Sequence, residues 1–504
     1  MLSYELDKNL EEIAGSGTLQ EIIFRTIKTA EAEEWIEDLI RAACRTNPEN
    51  PKLQAIAQIL ASPPQELCNI PYPRKPLFTR RKTVLPEMRN VLLARKLTSL
   101  SRLGDIGAML VFSVLVTGLV MGVRWLGIPQ VEQLELMFFD QLMRSRPSEA
   151  PDSRLLIVKI TDQDLSKYGR YPLEDSIVAQ LIRRLEQYNP RVIGLDIHRN
   201  KPRGKGRQEL ISLFQKNKNL FAVCSFGISN NNSDYAPPQE LTEEQKINQL
   251  GFSDVFPDQN TNFIRRQLLS YEPSFFPSPC KTPYSFSFQL AFQFLSFEGI
   301  KPLELNHNYE WQFGKVLLKP MGNRTGAYQN LGESDQILIN YRSDELAQFV
   351  TLEKVLEGKI DNSLVKGRVV LIGYADSMSK DWFDTPYGKQ PGVYIHGHMV
   401  SQIISAVMDQ RPLLAILPHW KGVQWGDGIC VFICSFAGGL LALLLRKLLH
   451  LVFAICIASL ILYQICLIIF IQGYWLPFLP LIVSLLVTGF CAQKVTKKTF
   501  EPKT

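Results

Sequence analysis

The chain has 504 residues, with 55 Lys and Arg against 49 Asp and Glu, for a net charge of +6. Part of that excess sits in one basic run ahead of an apolar stretch, which reads as a lipid-facing stripe and argues against a nucleic-acid partner. Five of the nine cysteines fall in apolar stretches and read as small hydrophobes. With no CxxC and no Cys/His cluster at zinc spacing, neither a cofactor nor a metal has a signature here.

Residues 1–65 read as a small all-α domain. Leu6, Leu10 and Ile13 fall at helical spacing, Gly15-Ser16-Gly17 interrupts, and Leu19, Ile22, Ile23 and Ile27 restart an apolar stripe. Trp35, Leu39, Ile40 and Ala43 then share one helix face; Asn47-Pro48 ends that helix, and Pro51 begins another near its first turn. Four short helices give a marginal core without room for a cleft, which fits an interaction module better than an enzyme. Trp35, Leu39, Ala43, Asn47-Pro48, Asn50-Pro51 and Leu53 resemble the pattern of bacterial effector-associated domains. That resemblance implies homotypic pairing with the same domain on caspase-like peptidases, trypsin-like proteases or other defence and cell-death effectors. Trp35, Leu39, Asn47 and Pro48 would then carry the partner contact.

Residues 66–104 form a basic juxtamembrane linker, with Arg74, Lys75, Arg80, Arg81, Lys82, Arg89, Arg95, Lys96 and Arg102 against Glu87 alone. The first apolar stretch follows at 105–126. A bilayer core takes about 20 apolar residues of helix. No cleavable signal peptide precedes it, because residues 1–60 are acidic and mixed, so this span is expected to serve as a signal anchor.

Residues 127–422 alternate strand and helix signals. LLIVKI (Leu155 to Ile160) and VIGLDI (Val192 to Ile197) are continuous apolar runs, as strands buried on both faces are. Leu220 to Cys224, Ile337 to Tyr341 and Val369 to Ile372 read likewise, with helical patterns at Ser176 to Tyr188, Leu210 to Phe214 and Val393 to Val407. Such alternation predicts an α/β domain with a mostly parallel sheet. The stretch 226–334, rich in Asn, Pro and Phe, reads as an insertion over the sheet edge or a cleft. Ligands bind outside the carboxyl ends of such strands. Asp162 follows the first strand, Asp196 ends the second, and Asp381 and Asp384 lie in the loop after Gly373. With His396, these make a candidate ligand cleft; helix and turn capping is the alternative use of each Asp. His396 and His398 stand two apart in a helical context, where their faces diverge, so no metal is expected. Neither GxGxxG, GKS/T nor GxSxG occurs. Cys224 and Cys280 lie in this region, and one disulfide between them is open.

The same block resembles the second CHASE family of extracytoplasmic sensor domains over almost its whole length. VEQLELMFFDQLMRSRP carries Glu132, Asp140 and Arg144 in matching places, and GFSDVFPDQNTNFIRRQ carries Gly251, Asp258 and Arg265 or Arg266. GRVVLIGYADSMSKDWFDTPYGKQPGVYIHGHMVSQII carries Gly373, Asp381, Asp384, Thr385, Pro386, Gly392 and His396. The chain departs from the family at His398, often a small residue, and at Tyr171-Pro172, often WP. The resemblance implies an α/β fold, an unknown extracytoplasmic ligand, and three spans after the sensor.

Three apolar stretches do follow, at 423–445, 448–471 and 474–493, ahead of a tail at 494–504. Basic clusters before the first span, at Arg446-Lys447 and at Lys494, Lys497 and Lys498 agree with a four-span topology having both termini in the cytoplasm. Trp125, Trp425, Tyr474 and Trp475 fall where an outer aromatic belt would lie.

These features favour a non-enzymatic sensor-adaptor in the plasma membrane of a bacterium, signalling through its helical head to a cytoplasmic effector with a matching domain. No output domain is expected after the last span, and a homodimer is expected because single-stem sensors signal by moving paired stems. Two other readings stay open: an ectoenzyme with Asp196, Asp381, Asp384 and His396 as a hydrolytic site, and a transporter within the four spans.

Overall fold

The computed structural model describes residues 86–500, apart from short segments at 228–234, 260, 273–277, 301, 304–309, 329–330, 332–334, 344, 420–421 and 446. The chain divides into two units, Met1–Arg89 and Asn90–Thr504. The helical head, with Trp35, Leu39, Asn47 and Pro48, lies outside the described residues, as do residues 66–85 of the basic linker.

Helix α1 (Pro86–Trp125) carries the first apolar stretch, and α2 (Pro129–Ser145) opens on a proline, whose fixed φ suits a first helical turn. Six strands then build one sheet: β1 (Leu155–Ile160), β2 (Val192–Asp196), β3 (Leu220–Cys224), β4 (Leu250–Phe252), β5 (Gln348–Thr351) and β6 (Val369–Tyr374). Their order is β5-β1-β6-β2-β3-β4, and every pairing is parallel. Crossovers come from α3 (Asp162–Tyr168), α4 (Asp175–Glu186), α5 (Arg207–Lys216), α6 (Glu243–Asn248) and α8 (Leu352–Leu356); α7 (Phe286–Phe297) and α9 (Gly392–Asp409) complete the layers.

The two-residue period of a strand sends alternate side chains to opposite faces. Leu156, Val158 and Ile160 therefore join one core with Ile182 and Leu185 of α4 and Leu210 of α5. Leu155 and Ile157 join another with Phe286 and Leu290 of α7 and Val400 and Ile403 of α9. Each such buried side chain contributes roughly 1.5–3 kcal/mol. The second layer depends on glycine at β6: a Cβ on Gly373 would lie 2.6 Å from Cβ of Val393, so any side chain there would push α9 off the sheet.

The stretch 226–334 holds more of the core than its composition predicts, because α7 presents Phe286, Leu290 and Phe294 to the sheet. Cys224 and Cys280 are disulfide-bonded, with Cα atoms 5.5 Å apart, tying that stretch to the end of β3. The segment expected as a sheet strand at Ile337 to Tyr341 pairs instead, as Asp335–Leu338, antiparallel with Arg266–Ser270 in a separate ribbon. The outer position of the main sheet goes to β5, whose QFVT is too short and polar to announce itself.

Among the described residues three helices are long and apolar enough to cross a membrane: Ile106–Trp125, α10 (Trp425–Leu444) and α11 (Leu448–Ile471). The last helix, α12 (Phe478–Phe500), includes the shorter apolar run Phe478–Lys494. α10 and α12 meet through small residues, with Gly438 against the backbone of Leu485 and Ser435 Oγ 2.7 Å from Thr488 Oγ1, so that the two backbones approach closely. A further core joins Leu136, Phe139 and Met143 of α2 to Phe470 and Phe478 of the terminal helices. Trp475 is no belt residue. It is fully buried in that core, edge-on to Phe139 at 4.9 Å, because Tyr474–Trp475 pairs with Ala415–Ile416 as a short parallel ribbon. Trp125, Trp425 and Tyr474 remain about half exposed.

Candidate functional site

β6 enters the sheet between β1 and β2 although it comes last in the chain. The strand order thus reverses there, and the crevice at the carboxyl ends of these strands is where ligands settle in open α/β sheets. After β6 the chain crosses this edge. Asp376 shapes the crossing, its Oδ1 accepting from the amides of Met378 (2.7 Å) and Ser379 (2.9 Å), and its carbonyl accepting from Trp382 Nε1 (2.8 Å). The hairpin Trp382–Thr385/Gly388–Pro391 follows, and α9 begins at Gly392. The Asp381 carboxylate lies directly on that glycine, where a Cβ would collide with it.

Asp196, Asp381 and His396 converge here. Asp196 is partly exposed as a residue, yet its Oδ2 is sealed from solvent with no hydrogen bond among the described residues. Burial pushes its carboxyl well up from the usual range. Burial also raises Asp381, with the Asp196 and Asp376 charges adding to it and His396 and the Gly392 amide opposing. His396 is 3% exposed, stands edge-on to Phe286, and has a buried Nδ1 with no hydrogen-bond partner among the described residues. Burial pushes its imidazole down to about 4, against the pull of Asp381.

His198, two residues beyond β2, completes the group. Burial and then His396 push it down to about 4. Its ring stacks on Tyr235 at 4.4 Å, and its Nε2 lies 3.4 Å from Ser253 Oγ. Beside it Arg199 is buried, 3.4 Å from Asp175 and next to Tyr374. His198 and Arg199 escaped the sequence reading, although their place just past a strand's carboxyl end could have marked them.

The remaining two candidates stand apart. Asp162 is exposed, and its Oδ1 accepts from the Ser377 amide (3.1 Å) and hydroxyl (2.9 Å), clamping the crossing loop. Asp384 is held by backbone hydrogen bonds to Asn262 and Ile264, and its carboxylate makes none among the described residues. No group of three or more His, Cys, Asp or Glu among those residues is arranged to hold a metal ion. The cluster can accept hydrogen bonds from a hydroxylated or cationic ligand, or take up protons.

A second set of polar contacts joins the sheet domain to the helices. Arg124, at the end of α1, donates to Asp427 Oδ2 at the start of α10 (2.8 Å) and to the carbonyl of Gly326. Glu135 of α2 accepts from the amides of Phe478 (2.8 Å) and Leu479 (2.7 Å), placing a carboxylate on the positive end of α12. The sheet domain therefore touches α1 and α12 through charged groups, and Asp427 ties α10 to the same Arg124.

Comparison with known families decides the assignment. The CHASE2 domain model matches residues 115–440, from within α1 to within α10. The chain belongs to the CHASE2 family. The model of effector-associated domain 1 matches residues 1–61. Both resemblances read from the residues are thus matched. No curated protein and no solved structure matches the chain. As a CHASE2 protein it carries an extracytoplasmic sensor domain beside helices able to span a membrane, and its role is in signal transduction.

Proposed function

We propose that this CHASE2 protein is a non-enzymatic transmembrane sensor-adaptor. The single observation that carries the reading is the pairing, in one chain, of a CHASE2 domain with an effector-associated domain. Residues 127–422 face outward, four helices at 105–126, 423–445, 448–471 and 474–493 cross the plasma membrane, and both termini lie in the cytoplasm. Asp196, Asp381 and His396 receive the signal, with Asp162 and Asp384 at the rim. The buried atoms Asp196 Oδ2 and His396 Nδ1, which have no hydrogen bond among the described residues, support this, since such groups are costly unless something satisfies them. Residues 1–65 recruit or release a cytoplasmic effector with the same domain, in a homodimer. A ligand can drive this only through its difference in affinity between two sensor states. Arg124, Asp427 and Glu135 are placed to carry that difference to the helices.

The test is capture of effectors by the full chain in host membranes. An effector bearing effector-associated domain 1 should co-purify, be lost with Trp35→Ala, and change in amount with His396→Gln while membrane insertion stays intact. Insertion with no such effector recovered by the wild type would overturn the adaptor role. An unchanged amount with His396→Gln would remove the sheet edge as the receiving site.

A further inference from the structure

Two cavities adjoin at the junction of α1, α2 and α12. One is an apolar groove of about 310 Å³, lined by Val116, Leu119 and Val123 of α1 and Leu479 and Val483 of α12. Its α1 wall belongs to a helix long and apolar enough to span a bilayer, which in a membrane would set the groove against hydrocarbon. The other is a cavity of about 240 Å³ on the outer-domain side, lined by Asp258, Arg265 and Arg266. Gly127 and Glu132 line both. An apolar slot that runs into a charged chamber matches an amphiphile with one end in lipid.

The charges say which headgroup. Arg265 donates to Asp140 (2.7 Å) and Asp258 (2.5 Å), and Arg266 donates to Asp258 (3.0 Å) and Gln336 (2.6 Å). Two guanidiniums thus face two carboxylates and leave no spare positive charge for an anion. Glu132 is half-buried at the shared wall, faces Asp258 and Arg266, and makes no hydrogen bond or ion pair among the described residues. Of the other charges lining the groove, Arg124 is paired with Asp427 and Glu135 accepts from two amides, so the carboxylate left without a hydrogen bond among the described residues is Glu132, and its complement is a cation with N–H donors.

We propose that this junction binds one bilayer lipid with a primary-ammonium headgroup, its acyl chain in the α1/α12 groove and its ammonium on Glu132. The site lies away from the carboxyl-edge cluster and does not depend on the reading of that cluster. The lipid would bridge α1, α2 and α12, the helices whose ends already meet the outer domain through Arg124 and Glu135.

The experiment uses the purified full chain in detergent, with phosphatidylethanolamine or phosphatidylglycerol added, and reads lipid retention by native mass spectrometry. Phosphatidylethanolamine should be retained about tenfold over phosphatidylglycerol, a difference of about 1.4 kcal/mol. Glu132→Gln should bring that ratio near one without moving the lipid-free melting temperature. Val123→Trp, filling the groove, should lower retention of both. Equal retention by the wild type, or preference for phosphatidylglycerol, means ordinary boundary lipid and overturns the proposal. So does an unchanged ratio in Glu132→Gln. If Val123→Trp instead splits a dimer, a second copy fills the groove and the lipid site falls.

Discussion

Asp140, Asp258, Arg265 and Arg266 are buried and satisfy one another, with Tyr328 donating a further hydrogen bond to Asp258 at 3.1 Å. At the sheet's carboxyl edge, Asp196, Asp376, His198 and His396 are handled differently: each keeps a buried polar atom with no hydrogen bond among the described residues. Both regions use the same kinds of side chain in the same domain. In the first, Arg265 meets Asp140 in bidentate geometry and both arginines donate to Asp258, which holds α2 against the Arg266–Ser270 ribbon. In the second, carboxyls and imidazoles crowd together, and burial drives Asp196, Asp381, His198 and His396 toward their neutral forms. A matched network resists change; an unmatched one responds to whatever supplies a proton or a donor.

The contrast is broken most forcefully at Arg265. Arg265→Ala leaves the Asp140 and Asp258 carboxylates buried with one guanidinium between them. Removing one partner of a buried pair typically costs about 3–5 kcal/mol. Chemical denaturation of the full chain in detergent should show a loss of that size. A loss under about 1 kcal/mol would mean that water reaches this network and that the exposed-pair regime applies.

A smaller effect, of opposite origin, belongs to the imidazoles. His198 and His396 are pushed down to about 4, so the unfolded chain binds their protons more readily than the folded one. Their contribution is fully present above the unfolded value near 6.5 and is lost as pH falls toward 4. Asp196 and Asp381, raised by burial, act with the reverse sign: their contribution is present at low pH and lost as pH rises through their folded values. Comparing His396→Gln with the wild type isolates one imidazole. The wild type should lose about 2–3 kcal/mol more than the variant between pH 7 and pH 4. Parallel losses would mean that His396 is solvated in the folded state.

How much of this was legible follows from what each residue announces. LLIVKI, VIGLD and VVLI are apolar throughout, which only a strand covered on both faces tolerates, so the parallel sheet could be read directly. Its order could not, because QFVT at the sheet edge is half polar and Ile337 to Tyr341 looks as apolar as a sheet strand. Period identifies strands; pairing partners depend on contacts far away in sequence. Trp475 shows the same limit: a Trp beside a span looks like a belt residue until Phe139 and Gly326 close over it. At the site, the strand-end rule found Asp196 and Asp381 but also named Asp162 and Asp384, which stand apart. It missed His198, which lies one turn of loop beyond its strand. Arg124 and Asp427 pair across 303 positions of sequence, and no local pattern could join them.

The smallest expected effect tests the unmatched cluster most sharply. Asp381→Asn keeps the shape of a protonated carboxyl and removes only the capacity to ionise. Burial, Asp196 and Asp376 push Asp381 up to about 7, so at pH 7 the amide replaces a group that is only partly charged in the folded protein. Stability at pH 7 should then change by less than about 1 kcal/mol, since replacing a buried group with one of the same shape and hydrogen-bonding capacity can be nearly neutral. The rise in stability that Asp381 contributes on mild acidification should disappear with it, because an amide cannot take up the proton. A loss at pH 7 as large as that of Arg265→Ala would mean that Asp381 is ionised and paired. The carboxyl edge would then be a second structural network, and the difference between the two regions would vanish.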